Sequence, residues 1–451
     1  MSLKTLLMPS VSQYVLSHQR VLRLRAKEEA RRQRNGLPHE VHYFHQVDDP
    51  YSVLLAQILP QFLARYEVNL VPYVVGPPPA SAAPERERLM AYSGRDATLL
   101  AQRNGIKFGS LAPQLPDQNK CREVERALVA AVREGRFVEL AARISELPWS
   151  NDIESLHELE ARLGKPSGAE ETQAHIKAAN AQRQRWGHYL GATLYYAGEW
   201  YWGIDRLYHL EERLQELGLA RSDARGFLHP PPVETAVPCG LSNPSPIDFY
   251  FSLRSPYSAI VARRVFDLAR QAGTKVNLRF VLPMVMRGLP VPRIKRDYIS
   301  RDAAREARAR GIPFGRINDP VGRPTERGLS LIPLAERMGR GEDYVVNFMH
   351  GVWAEGLDAG SDRGLRIIAE RSGLPWQKVQ DALHEEAWRQ EAEKNRQAMF
   401  ALGLWGVPSF HVDGLAVWGQ DRLWAVRDRL LQTQTAAPAP NTDTNAGGQQ
   451  N

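Results

Sequence analysis

The alternation of apolar and polar positions changes rhythm in the same order twice along the chain. A short aromatic and β-branched run, at 41–47 and again at 248–251, carries the two-residue period of a strand. A proline, Pro50 or Pro256, then opens a stretch with helical spacing, and a second apolar strand follows at 70–75 or 276–282. This is a βαβ pattern. Each copy continues into a long Ala-, Arg- and Glu-rich helical stretch, about 85–185 in the first and 297–402 in the second. Each closes with a hairpin around Gly198 or Gly414 and a final helix. The predicted class is α/β, with helices inserted into two small sheets.

Residue identities repeat along with the rhythm. Tyr43-Phe44-His45-Gln46-Val47-Asp48-Asp49-Pro50-Tyr51-Ser52 is echoed 206 positions later by Phe249-Tyr250-Phe251-Ser252-Leu253-Arg254-Ser255-Pro256-Tyr257-Ser258. Gly198, Trp202, Gly203, Asp205, Arg206 and Leu207 return 216 positions later as Gly414, Trp418, Gly419, Asp421, Arg422 and Leu423. Matches in one order favour a tandem duplication. The expected division is a basic helical arm at 1–38, a first unit at 39–220, a Pro-rich linker at 221–246, a second unit at 247–432 and a disordered tail at 433–451.

Composition narrows the function. The chain has 451 residues, 43% hydrophobic and 24% charged, too long for one ordinary core. No run reaches the ~18 uninterrupted apolar residues of a membrane helix. The opening Leu6-Leu7-Met8 is short, with Lys4 alone before it and the bulk of the charge after it, which favours a cytoplasmic location. The net charge of +7 is concentrated in the arm, where Lys4, Arg20, Arg23, Arg25, Lys27, Arg31, Arg32 and Arg34 face only Glu28 and Glu29. The remainder is close to neutral, so the arm reads as a solvated helix in preference to a nucleic-acid-binding segment. Cys121 and Cys239 are the only cysteines and form no C-x-x-C pair, which supports neither a dithiol redox centre nor a zinc site.

Candidate chemistry gathers in the second copy. Ser255 is placed as the N-cap of the helix that Pro256 opens, where a hydroxyl, free N–H groups and the helix dipole stabilise an anion such as a thiolate. Leu404-Trp405-Gly406-Val407-Pro408-Ser409-Phe410 puts a proline directly ahead of a strand, which favours a tight turn with a cis Val407–Pro408 bond. Met284, Trp405 and Trp418 are candidates for an apolar pocket nearby. The basic run from Arg293 to Arg310 reads as a solvated helix face paired with Asp302 and Glu306.

The order strand, Ser255-Pro256-Tyr257-Ser258, helix, inserted helices, then W-G-V-P-S-F-x-V-D-G and W-G-Q-D-R-L resembles the glutathione-dependent 2-hydroxychromene-2-carboxylate isomerases and kappa-class glutathione transferases. Both are DsbA-type relatives of thioredoxin. The resemblance covers 247–431 and implies two tandem thioredoxin-like units, the first degenerate, each with a helical insertion. It implies glutathione as the cofactor and an aromatic or electrophilic small molecule as the substrate. In that pattern Ser255 orients the glutathione sulfur, Val407 and Pro408 clamp its cysteine backbone, Gln420 and Asp421 hold its γ-glutamyl end, and Lys295 contacts its glycyl carboxylate. Tyr257, Met284, Trp405 and Trp418 line the substrate pocket.

The first copy has Asp49 where the second has Ser255 and Ala192 where the second has Pro408, so it is expected not to bind glutathione. Asp205, and Asp421 in addition to any ligand role, are expected to cap the final helices. A homodimer is left open. A non-catalytic double scaffold that binds a peptide or protein is the competing reading, and a thiol-disulfide oxidoreductase the less favoured one.

Overall fold

The computed structural model describes residues 3–108, 116–149, 166–234, 237 and 241–435. The predicted tail from 436 onwards and Cys239 lie outside the described residues. The arm is not one helix but two, α1 (Leu3–Leu16) and α2 (His18–Arg34), because the Ser17 side chain accepts the Arg20 N–H and starts a new helix.

The first half then runs β1 (Glu40–Gln46), α3 (Pro50–Arg65), β2 (Asn69–Val75), α4 (Arg86–Asn104), α5 (Gln118–Arg133), α6 (Phe137–Ile144), α7 (Ala169–Trp186), β3 (Thr193–Tyr196), β4 (Glu199–Trp202) and α8 (Leu207–Glu216). The second half repeats the plan with β5 (Ile247–Phe251), α9 (Pro256–Ala272), β6 (Val276–Phe280) and α10 (Arg293–Ala309). Its further inserted helices are α11 (Arg323–Ser330), α12 (Ile332–Arg337), α13 (Gly341–Trp353), α14 (Asp362–Arg371), α15 (Trp376–Ala382) and α16 (Ala387–Ala401). It ends with β7 (Ser409–Val412), β8 (Leu415–Trp418) and α17 (Leu423–Thr435).

Each half builds one four-stranded sheet, and the strand orders correspond: β2-β1-β3-β4 and β6-β5-β7-β8. The central strand pairs in parallel with the strand after the crossover helix and antiparallel with the first hairpin strand, Phe249 opposite both Leu278 and Phe410 in the second half. Both hairpins turn through two residues of positive φ, Ala197-Gly198 and Asp413-Gly414, the geometry that matches strand twist. The central strands bury aromatic side chains against their crossover helices, with Phe249, Phe251, Val261 and Val265 in the second core and Tyr43, Leu54, Leu55 and Phe62 in the first. Burying such side chains contributes about 1.5–3 kcal/mol each.

The halves meet through a reciprocal set of buried charges. Arg206 of the first half donates to Asp302 of α10 at 2.8 Å and pairs with Asp421 at 3.1 Å. Arg422 of the second half donates to Asp96 of α4 at 2.7 Å and to Asp205 at 2.9 Å. The phenols follow the same rule, Tyr257 donating to Asp302 at 2.7 Å and Tyr51 to Asp96 at 2.8 Å. This corrects the expectation that Asp205 and Asp421 cap the last helices: neither side chain accepts a cap hydrogen bond there, and both pair with the arginine of the opposite half.

The basic run on α10 is likewise not a solvated face along its length. Arg305 lies over the Tyr201 ring and donates to Trp200 O and to Asp302, and Arg310 pairs with Glu306, all at the boundary between halves. Arg293, Arg296 and Arg301 are exposed. The Pro-rich segment between the halves is packed at two places, since Glu234 is buried against Arg264 and Val237 joins the second core, while Val233 next to Glu234 is exposed. A proline's fixed φ suits such a strap as well as it suits a free spacer.

Candidate functional site

Ser255 caps α9 as the sequence predicts. Its backbone is extended (φ −92°, ψ 117°), Pro256 fills the first helical position, and its Oγ accepts the Ser258 N–H at 3.1 Å. The hydroxyl oxygen lies 3.4 Å from the carbonyl oxygen of Val407, too long to hold its proton firmly, so it can turn and donate to an incoming anion. The side chain is half-buried at the positive end of a 17-residue helix.

Opposite it, the Val407–Pro408 peptide bond is cis. Pro408 O accepts the Gly419 N–H at 2.8 Å, which ties this loop to the turn that presents Gln420 and Asp421. Gly406 has no room for a side chain: a Cβ there would meet the Trp418 ring at 2.9 Å. Trp405 packs edge-on against Trp418 with ring centroids 5.5 Å apart, and its indole N–H is buried without an acceptor among the described residues.

The first half holds two parts of this arrangement. Lys295 is buried, its Nζ 5.4 Å from the Trp405 ring centroid and donating to Ala82 O at 2.8 Å, and burial lowers its ammonium to about 8. Tyr92 of α4 bridges both backbone groups of Trp418, accepting its N–H at 2.7 Å and lying 3.1 Å from its carbonyl. Neither Ala82 nor Tyr92 stands out in the sequence. Tyr92 and Asp96 lie 206 positions before Tyr298 and Asp302, the spacing that relates Asp49 to Ser255, and that spacing is the signal that finds Tyr92.

The remaining candidates lie elsewhere. Gln420 is fully buried, accepting from Arg264 at 2.7 Å and donating to Glu306 at 2.8 Å, so its amide is spent on the boundary between halves. Asp421 pairs with Arg206, and burial together with Glu306 and Asp205 pushes its carboxyl up. Its side chain also lines a small cleft with Asp205, Arg103, Arg310 and Pro230. Tyr257 belongs to the boundary through Asp302, and Met284 opens the half-buried turn after β6. Among the described residues no group of three His, Cys, Asp or Glu side chains could hold a metal, and no helix is long and apolar enough to cross a membrane. The buried Cys121 thiol is pushed up to about 12 by burial.

At the matching place in the first half, Asp49 caps α3, accepting from Tyr51 N–H at 3.2 Å and from the Ser52 hydroxyl at 3.0 Å. Burial, with Asp48 adding to it, raises its carboxyl to about 7. Unfolded, the group ionises near pH 4, so the folded chain holds the extra proton between those values and its stability falls as pH rises from about 4 to 7. Asp49→Asn keeps a cap and removes the ionisation. We expect urea unfolding to show the variant on the order of 1–3 kcal/mol more stable than wild type at pH 8 and little different at pH 4. A pH-independent difference would contradict this.

Residues 246–431 match the family model of the DSBA-like thioredoxin domain. The 2-hydroxychromene-2-carboxylate isomerase of Sphingobium xenophagum is 28% identical over 199 residues, covering 41% of this chain and 97% of that protein. The isomerase of the same name from Pseudomonas sp. (strain C18) is 23% identical over 192 residues, covering 41% of this chain and 89% of that protein. Among solved structures, a 2-hydroxychromene-2-carboxylate isomerase aligns with a TM-score of 0.37 at 22% identity, covering 43% of this chain and all of that one. The cytosolic disulfide reductase DsbM from Pseudomonas aeruginosa with GSH aligns with a TM-score of 0.33 at 16% identity, covering 42% of this chain and 98% of that one.

Proposed function

We propose that the second half is a glutathione-dependent isomerase or transferase acting on an aromatic or electrophilic small molecule, built on a tandem duplication whose first copy has lost that activity. The observation that carries this reading is the Ser255 hydroxyl at the N-terminus of α9, 3.4 Å from the Val407 carbonyl beside cis Pro408. Bound glutathione would supply a thiolate able to add reversibly to a conjugated carbon of the substrate.

Ser255 donates its hydroxyl proton to that sulfur, and the first-turn N–H groups of α9 hold the negative charge near the helix terminus. Val407 offers its backbone to the cysteine of the tripeptide. Lys295 keeps two ammonium hydrogens beyond the one given to Ala82, enough for a carboxylate. Trp405 and Trp418 wall the sulfur from water. These residues fit glutathione from its sulfur to its glycyl end. The chain's own nucleophiles are not needed for such a reaction.

The engagement of Asp421 across the boundary, with Gln420 held beside it by Arg264 and Glu306, favours a second reading, a non-catalytic double scaffold that binds a peptide along the cis-proline edge. Calorimetric titration of the full chain with glutathione separates the two. Saturable binding that Ser255→Ala weakens is expected, and a scaffold gives no heat.

A further inference from the structure

The second half is a template for what the first half has changed. At the spacing of 216, buried Met399 and Leu404 become Arg183 and His188, and at the spacing of 206 Ser255 becomes Asp49. Met399 and Leu404 are each 1% exposed, while Arg183 is 3% and His188 0% exposed. Two apolar core positions have thus become polar without moving to the surface, a costly exchange unless something satisfies the new groups.

Nothing among the described residues does so completely. Arg183 donates one nitrogen to Gly76 O at 3.1 Å and to Asn180 at 2.9 Å, and its Nε and Nη1 have no acceptor. No carboxylate is within ion-pair distance of it among the described residues. Asp49, the acidic group that acts on it through space, is turned to Ser52 and the Tyr51 N–H. His188 accepts the Leu190 N–H on Nδ1 at 3.2 Å, which leaves its proton on Nε2, where it meets no acceptor. Tyr298 of α10 stands edge-on to that imidazole at 4.3 Å with its hydroxyl unpartnered, whereas its counterpart Tyr92 is fully bonded.

Arg183 and His188 act on each other through space, and the Tyr298 ring stands against that imidazole. Gly76 follows β2 directly and Asp49 follows β1, so Arg183 sits at the carboxyl ends of the two parallel strands and beside the N-terminus of α3. Ligands of open α/β sheets bind at those strand ends. The unmet groups are all donors: a guanidinium, an imidazole N–H and a phenol. We infer that the first half binds a small carboxylate there, with Arg183 as its counter-cation and His188 and Tyr298 as hydrogen-bond donors. The copy that lost the serine site has become a second, independent ligand site.

The test is titration of the full chain, at constant ionic strength, with acetate, malonate and inorganic phosphate, in wild type, Arg183→Met and Ser255→Ala. One of the two carboxylates is expected to bind saturably. Arg183→Met should weaken it about tenfold or more, the scale of one lost charge-assisted contact, and Ser255→Ala should leave it unchanged. Ligand-free Arg183→Met, which carries the second half's own residue, should melt higher than wild type, the reverse of what a purely structural arginine gives. Should that variant not fold, His188→Leu carries the same two expectations. Saturable binding of phosphate alone, no saturable binding at all, or unchanged affinity in the folded variant would overturn the inference.

Discussion

Arg206→Leu is expected to lower the unfolding free energy by about 3–5 kcal/mol, more than any single apolar truncation at the same boundary. Arg206 is 2% exposed and faces Asp302, Glu306 and Asp421, and among the described residues no other cation pairs with all three. Removing it leaves three carboxylates without their common partner. The loss is therefore the cost of stranded charge, not the modest net gain of one ion pair. Arg305 and Arg310 soften it, because they also pair with Asp302 and Glu306. Asp421 has Arg310 and Arg422 near it but no second ion pair among the described residues, and should take up a proton. Urea unfolding of Arg206→Leu and of its counterpart Arg422→Leu should give losses of similar size, since Arg422 holds Asp96 and Asp205 in the same manner. A loss under 1 kcal/mol in both would mean that the reciprocal charges do not hold the halves together.

Those arginines show where the sequence is readable and where it is not. Strand, helix and hairpin positions follow from periodicity and from Pro50, Pro256, Gly198 and Gly414, each of which constrains the backbone locally. The Ser255 cap and the cis Val407–Pro408 bond were legible for the same reason: both are set by neighbours in sequence. What Asp205, Asp421 and the α10 arginines do was not. An Asp-Arg pair before a helix reads as a cap when viewed along the chain, and only the juxtaposition of residues some two hundred positions apart makes it an ion pair. Lys295 had the same difficulty, because its partner Ala82 offers a backbone carbonyl, which carries no side-chain signature.

Ser255→Ala is expected to reduce glutathione-dependent turnover about 100-fold, the scale of losing one donor placed where charge resides. The alanine also loses the cap to the Ser258 N–H, worth about 1 kcal/mol of stability, so a fall in activity alone would be ambiguous. Ser255→Asp removes the ambiguity by copying the first half. Aspartate caps as Asp49 does in a half that folds with it, so the chain should stay folded, yet its charge beside a thiolate costs about 1 kcal/mol in water at 4 Å and about 4 kcal/mol near a protein surface. Activity should therefore be lost in a chain that is still well folded. Wild-type turnover in either variant would remove Ser255 from the site.

The claim on which the rest depends is that glutathione has a single place in this chain, in the second half. Calorimetric titration measures it directly through the stoichiometry. One glutathione bound per chain, weakened by Ser255→Ala and untouched by Arg183→Met, is the result expected. Two per chain, one that Ser255→Ala leaves intact, or none at all would contradict the account.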